Sequence, residues 1–312
     1  MKNVGRVLFC AAFVLFMASG VFAARNAKAK APKEVWVSKD KNGTLLTAGS
    51  DGWANLNMDE EIDLEGYKFV QIECSSPDGK KFARVGVDFS FTPEQDENFD
   101  WDNSARIYIY NIGKKLALYQ GNVFGEKQRY DAWQDGKQFF RTPEALVFDR
   151  LIIHAEDSNY KSVPGVKFYV KKIVATNDPI GQTYTLDIGK KRFLALAQKE
   201  VWDDKSVHYC YNADLGQEFG TVPKVGDVVQ IKLKGTNAFD LGVWRVYAYD
   251  WDESYGWRPI ANDNLYQPAL KKGQKIDRTI DLVIMQPGQK AYLEFTSYEG
   301  ETTGPYLFYS GK

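Results

Sequence analysis

Several stretches of this chain alternate apolar and polar or aromatic residues at every second position, the period of a β-strand. Ala105-Arg106-Ile107-Tyr108-Ile109-Tyr110 does so, and so do Val166-Lys167-Phe168-Tyr169-Val170-Lys171, Val229-Gln230-Ile231-Lys232-Leu233-Lys234 and Trp244-Arg245-Val246-Tyr247-Ala248-Tyr249. One face of each run is aliphatic, which suits an antiparallel sheet with one face on a core and the other toward water. Turn signals separate the runs: Asn42-Gly43, Pro77-Asp78-Gly79, Asp135-Gly136, Pro164-Gly165 and Pro287-Gly288. Tyr, Phe and Trp make up 14% of the chain, a composition that favours strands over helices. The best helical candidate is the short stretch Lys190–Val201. Many short strands with frequent turns predict an all-β chain built from β-sandwiches.

Residues 1–23 read as a secretory signal peptide: Lys2 and Arg6 precede an apolar run that closes on Val21-Phe22-Ala23-Ala24. Cys10 follows the bulky Phe9 inside that run, which argues against a lipid-attachment site. Cleavage after Ala23 leaves 289 of the 312 residues, room for two domains. Residues 24–33, Ala-rich with Arg25, Lys28 and Lys30, read as a flexible leader. A boundary falls at Ala175-Thr176-Asn177-Asp178-Pro179-Ile180-Gly181, giving one sandwich over 34–177 and a second over 178–312. Beyond the signal, 38 basic side chains face 41 acidic ones, a net charge of −3 with no basic stripe, which speaks against a nucleic-acid partner. No later segment reaches the roughly 20 apolar residues of a spanning helix, so the exported protein is expected to be soluble, in the periplasm, secreted or at the cell surface. Cys74 and Cys210 each sit in a strand-like run and are read as two separate thiols ahead of an inter-domain disulfide.

The two halves echo each other. Lys33-Glu34-Val35-Trp36 recurs as Lys199-Glu200-Val201-Trp202, Val70-Gln71-Ile72 as Val229-Gln230-Ile231, and Arg106-Ile107-Tyr108-Ile109-Tyr110 as Arg245-Val246-Tyr247-Ala248-Tyr249. The order of a strand at Leu64-Glu65-Gly66-Tyr67-Lys68-Phe69-Val70, further alternating strands and a closing Val166–Ile173 run resembles jelly-roll, galactose-binding-like domains. The stretch Gly220–Gly235 is similar to strands of non-catalytic carbohydrate-binding modules from secreted bacterial proteins. That resemblance implies two tandem antiparallel jelly-roll-like sandwiches and a binding role; it assigns no site residues.

The densest candidate site spans Tyr247 to Asn264. Arg245, Tyr247 and Tyr249 share the non-core face of their strand, beside a loop read as Asp250-Trp251-Asp252-Glu253 and followed by Trp257. Sugars stack their C–H patches on flat aromatic faces and pair their hydroxyls with Asp, Asn and Arg. In this reading Tyr247, Tyr249, Trp251 and Trp257 stack, while Arg245, Asp250 and Asp252 take hydroxyls. The competing reading is a Trp-anchored loop that caps a sandwich, with acids that are merely solvated. A second candidate surface joins Arg106, Tyr108 and Tyr110 to Trp101 in the acidic stretch Asp96–Asn103. That stretch offers oxygen ligands for a structural calcium ion, but lacks the glycine and closing glutamate of an EF-hand, so a solvated acidic loop is preferred and no cofactor is assigned.

Catalysis finds little support. His154 and His208 are the only histidines, neither in a metal-binding spacing, and His154 reads as a satisfied strand residue after Leu151-Ile152-Ile153. No nucleophile elbow or phosphate-binding glycine loop is present. Carboxylate pairs such as Asp250 with Asp252 do not reveal whether they stand the required distance apart across a cleft. The sequence therefore points to an exported, non-enzymatic protein that binds a polysaccharide or other glycan. An envelope structural or adhesion protein with a protein partner is the alternative, and a polysaccharide hydrolase ranks last.

Overall fold

The computed structural model describes residues 30–79, 82–90, 104–123, 131–134, 137–142, 146–188, 198–201, 207–236, 244–252, 256–261, 265–267, 273–288, 291–299 and 307–310. Residues 1–29, which include the stretch read as a signal and most of that read as a leader, and the acidic stretch 96–103 with Trp101 lie outside them. The described strands of the first half are β1 (Lys33–Val37), β2 (Thr44–Thr47), β3 (Trp53–Asp63), β4 (Phe69–Ser75), β5 (Arg84–Ser90), β6 (Ser104–Tyr110), β7 (Ala117–Asn122), β8 (Asp131–Gln134), β9 (Lys137–Thr142), β10 (Val147–Glu156) and β11 (Lys167–Thr176). Those of the second are β12 (Thr183–Ile188), β13 (Gln198–Val201), β14 (Val207–Asp214), β15 (Val228–Thr236), β16 (Trp244–Asp252), β17 (Gly256–Pro259), β18 (Leu265–Gln267), β19 (Lys275–Val283), β20 (Ala291–Glu299) and β21 (Leu307–Ser310). Among the described residues a single short helix, α1 (Leu215–Phe219), interrupts them.

The first half is a sandwich of two sheets. One runs β1-β11-β4-β7 with β2 also on β11; the other runs β3-β10-β5-β6, and every pairing in both is antiparallel. The alternation expected from sequence decides what lies between them. Ile72, Cys74, Phe168, Val170 and Ile173 on one sheet share a buried cluster with Val85, Val87, Phe89, Ile107, Ile109, Leu151 and Ile153 on the other. Phe89 meets Phe148 edge to face at 5.0 Å, the geometry that aromatic quadrupoles favour. The sheets come so close at Gly121 that a Cβ there would collide with Ile107. Cys74 is a buried free thiol, and burial pushes its pKa upward.

A second apolar cluster gathers Leu186, Val229, Ile231, Leu233, Ile280 and Leu282 with Ala213, Leu215, Val246, Ala248 and Ile260. Its sheets run β12-β15-β19 and β13-β14-β20-β16-β17, with β18 also on β16. The chain is all-β with antiparallel sheets, as expected, and two pairings among the described strands are parallel: β12 with β15, and β21 with β9 of the first half. The stretch read as helical needs a correction. Residues 189–197 are outside the description, and its end is strand β13, where antiparallel pairing with β14 overrides local helix propensity. Helix α1 was not foreseen, although Asp214 caps its N-terminus through Gln217 N–H and Gly220 closes it in the left-handed region.

The halves meet where Phe69 of β4 packs on Val228 and Val283. Around that contact the Gln120 amide donates to Gly226 O (3.0 Å) while its oxygen accepts from Ile180 N–H (2.9 Å) and from Gln71 (3.1 Å). Asn122 donates to Asp281 O at 2.7 Å, and the Lys68 ammonium lies 3.3 Å from the Asp281 carboxylate. The buried Gln120 amide is tolerated because both its nitrogen and its oxygen have partners.

Truncating the core should be costly. Phe89→Ala is expected to destabilise the protein by about 3–5 kcal/mol, read from urea unfolding midpoints. Leu45→Ala, at a position 49% exposed, should stay within about 0.5 kcal/mol of the parent.

Candidate functional site

The same alternation that sends Val85, Val87 and Phe89 inward sends Arg84, Gly86 and Asp88 to the opposite face of β5. Register then decides who meets them. Arg84 stands opposite Glu156 on β10 and Tyr110 on β6; Gly86 stands between His154 and Tyr108; Asp88 stands between Ile152 and Arg106. Three consecutive rungs therefore place two arginines, two carboxylates, a histidine and two tyrosines on one face of the β3-β10-β5-β6 sheet. Gly86 is what lets them close up: a Cβ there would sit 2.5 Å from His154 Cε1.

The charges form one chain across the strands. Arg106 Nε donates to Asp88 Oδ1 at 2.5 Å, and Asp88 Oδ2 lies 3.2 Å from His154 Nδ1. His154 Nε2 lies 2.8 Å from Glu156 Oε1, and Glu156 Oε2 accepts from Arg84 Nε at 2.6 Å. Asp88, His154 and Glu156 are all buried, so their charges are sustained by one another rather than by water. Burial acts against the charged form of both titrating members and loses. Hydrogen bonds to Asp88 and Glu156 raise the pKa of His154 above its ordinary value, and hydrogen bonds from His154 and Arg84 hold Glu156 down at about 2.

Aromatic rings frame the outer side. The Arg84 guanidinium lies over the Tyr108 ring at 4.2 Å and over the Tyr160 ring at 4.5 Å. Arg106 Nη1 donates to the Tyr108 hydroxyl at 2.9 Å, and Tyr108 and Tyr110 are tilted neighbours with centroids 6.4 Å apart. Tyr160 is 70% exposed and holds a left-handed backbone, φ +61°, a strained conformation for a tyrosine. Asp157 secures that turn by accepting the backbone N–H groups of Asn159 and Lys161. The sequence singled out Arg106, Tyr108 and Tyr110 and missed Arg84, Asp88, Glu156 and Tyr160. The missed signals were the Arg-x-Gly-x-Asp alternation on β5 and the His-x-Glu spacing on β10.

The second predicted surface is only partly as expected. Val246 and Ala248 of β16 are in the core. Yet Tyr249 is 6% exposed and Asp250 1%. Asp250 lies within β16 rather than in a loop, opposite Arg258 of β17, whose Nη2 comes within 3.3 Å of Oδ2. Asp250 is thus an internal counter-ion, and neither it nor the Tyr249 ring lies on an open surface. Of Arg245, Tyr247, Trp251, Asp252 and Trp257 the backbone alone is described: Trp251 stands directly opposite Trp257, Asp252 opposite Gly256, and Arg245 opposite Thr296. Among the described residues no cluster of three or more His, Cys, Asp or Glu side chains could hold a metal ion, and no helix is long and apolar enough to cross a membrane.

No family model matches the chain, and no curated protein matches it. Among solved structures, the tandem CBM22-1–CBM22-2 domain of Paenibacillus barcinonensis Xyn10C is similar at 13% identity and a TM-score of 0.24, covering 90% of this chain and 93% of its own. A Parabacteroides distasonis protein is similar at 10% identity and a TM-score of 0.19, covering 89% and 88%. The cryo-EM structure of Broad bean stain virus is similar at 9% identity and a TM-score of 0.25, covering 92% and 90%. At these TM-scores none of the three bears on what the chain binds.

The ion chain gives the fold a pH optimum whose sign can be worked out. Glu156 is lowered in the folded state, so its contribution is complete above its ordinary 4.5 and is lost as pH falls toward 2. His154 is raised, so its contribution is complete below its ordinary 6.5 and is lost as pH rises through the folded value. Urea midpoints should therefore peak between pH 4.5 and 6.5. His154→Gln should flatten the alkaline limb.

Proposed function

We propose that this is an exported, non-catalytic carbohydrate-binding protein whose saccharide site is the outer face of the β10-β5-β6 sheet. The observation that carries the reading is the fixed array of Tyr108, Tyr110 and Tyr160 around the Arg84 and Arg106 guanidinium groups, each guanidinium anchored from below by a buried carboxylate. Rings supply stacking area for sugar C–H patches, and guanidinium and phenol groups are the partners that hydroxyls need. Anchoring matters because side chains already ordered in the free protein lose less entropy on binding. The signal-like start of the chain supports export, which places polymers and envelope glycans within reach.

A second saccharide surface fits the β16–β17 hairpin, where Trp251 and Trp257 hold opposite register positions in the ladder. Tyr249 and Asp250 have no part in it. Two modest sites on one polymer would gain by avidity.

A polysaccharide and glycan array tests the reading. Individual aromatic contacts contribute about 0.5–1.5 kcal/mol, so a folded Tyr110→Ala/Tyr160→Ala variant should bind its saccharide about tenfold more weakly. A Trp251→Ala/Trp257→Ala variant reports separately on the hairpin. No binding by the parent protein, together with self-association in light scattering, would replace this reading with an envelope structural role. Turnover of a polysaccharide abolished by one carboxylate substitution would make it an enzyme.

A further inference from the structure

We infer that His154 is the positioning residue of this face, and that its second ring proton decides whether the Arg106–Tyr108 end is held in place. The bearing of this on saccharide binding rests on the function proposed above; the geometry does not.

His154 lies beneath the aromatic frame, its ring against Gly86, and has a carboxylate at each nitrogen: Asp88 of β5 at 3.2 Å and Glu156 of its own strand at 2.8 Å. The other described charges around it are Arg106 of β6, Arg84 of β5 and, farther along the same face of β10, Arg150; its β3 neighbour across the ladder is the uncharged Trp53. With both nitrogens protonated, the imidazolium donates to both carboxylates. With one proton gone, the two ends stop being equivalent. The shorter contact keeps the proton on Nε2, facing Glu156. The Nδ1 lone pair is then turned toward Asp88 Oδ2, and neither buried atom has a hydrogen-bond partner to offset the approach. Two acceptors 3.2 Å apart in a water-poor site repel.

The consequence is asymmetric. Glu156 keeps its donors from Arg84 and His154, so the Arg84 end stays fixed. Asp88 keeps the Arg106 donor at Oδ1 but loses the positive neighbour at Oδ2 and turns away from the lone pair, which displaces Arg106, bonded to it at 2.5 Å, and, through Arg106 Nη1, the Tyr108 hydroxyl. The raised pKa of His154 agrees with a doubly protonated ring in the assembled state. If only that state binds saccharide, affinity falls toward about tenfold per pH unit above the His154 midpoint.

Side-chain NMR on the full exported chain tests this without any ligand. His154 and His208 are the only imidazoles, so His208→Asn assigns the titration. The expected result is that the Arg106 Nε–H resonance shifts and exchanges faster with the His154 midpoint, while the Arg84 Nε–H resonance does not. An Arg106 signal indifferent to His154 ionisation, or equal responses from both arginines, would overturn the inference. His154→Gln, if it folds, should abolish the transition; the titration of the parent protein decides the matter if it does not. Affinity for a saccharide found on the array is then compared below and above the His154 midpoint read from that titration, where the parent should weaken and His154→Gln should not. A saccharide bound on this face with pH-independent affinity would also overturn it. An array without hits removes the proposed function and leaves the arginine titration to decide the positioning role.

Discussion

Two sheets can seal an apolar layer only if each strand holds its register, because a slip of one residue exchanges the buried and outward faces. Strand β5 carries the strongest form of that constraint. Val85, Val87 and Phe89 are in the core, while Arg84, Gly86 and Asp88 are committed to partners on both neighbouring strands. A slip would bring a guanidinium and a carboxylate into the aliphatic layer, part Glu156 from Arg84, and part His154 and Arg106 from Asp88. Breaking one buried ion pair typically costs about 3–5 kcal/mol, a large share of the stability of an ordinary domain. The register of this sheet is therefore specified twice, by hydrophobic pattern on one side and by charge on the other.

The ionic chain is better understood as a specificity device than as a source of net stability. Burying Asp88 and Glu156 costs desolvation, and their pairing offsets that cost rather than exceeding it by a wide margin. What the pairing secures is position. Arg84 is held along its Nε edge by Glu156 and across its planar faces by Tyr108 and Tyr160, so an otherwise flexible side chain has one orientation. A strained Tyr160 backbone in a turn secured by Asp157 completes the frame. Rigid rings with fixed donors between them are what recognition of a polyhydroxylated ligand requires.

Strand identity was legible in the sequence because a period of two is a local property: the runs at Ala105, Val166, Val229 and Trp244 all became strands. The side from which Arg106 leaves its strand was legible for the same reason. The partners were not. Asp88, His154 and Glu156 meet only through β5–β10 pairing, and no local pattern announces which strands will be neighbours. Tyr249 and Asp250 show the same limit from the other direction. Alternation gives the direction in which a side chain leaves the ladder but not what covers that face, so an aspartate inside β16 opposite Arg258 reads in sequence as a loop acid open to a ligand. Helix α1 escaped notice because five residues are too few to show a helical period, although its cap was visible as Asp214 and Gly220.

The central claim is that saccharides meet the protein on the tyrosine and arginine side of β5 and β6. The most direct measurement is the ring resonances of Tyr108, Tyr110 and Tyr160 during titration with soluble oligosaccharides. The account predicts saturable shifts at these three rings, with Tyr249 unmoved in its buried position. Saturable binding that leaves all three rings unchanged would contradict it.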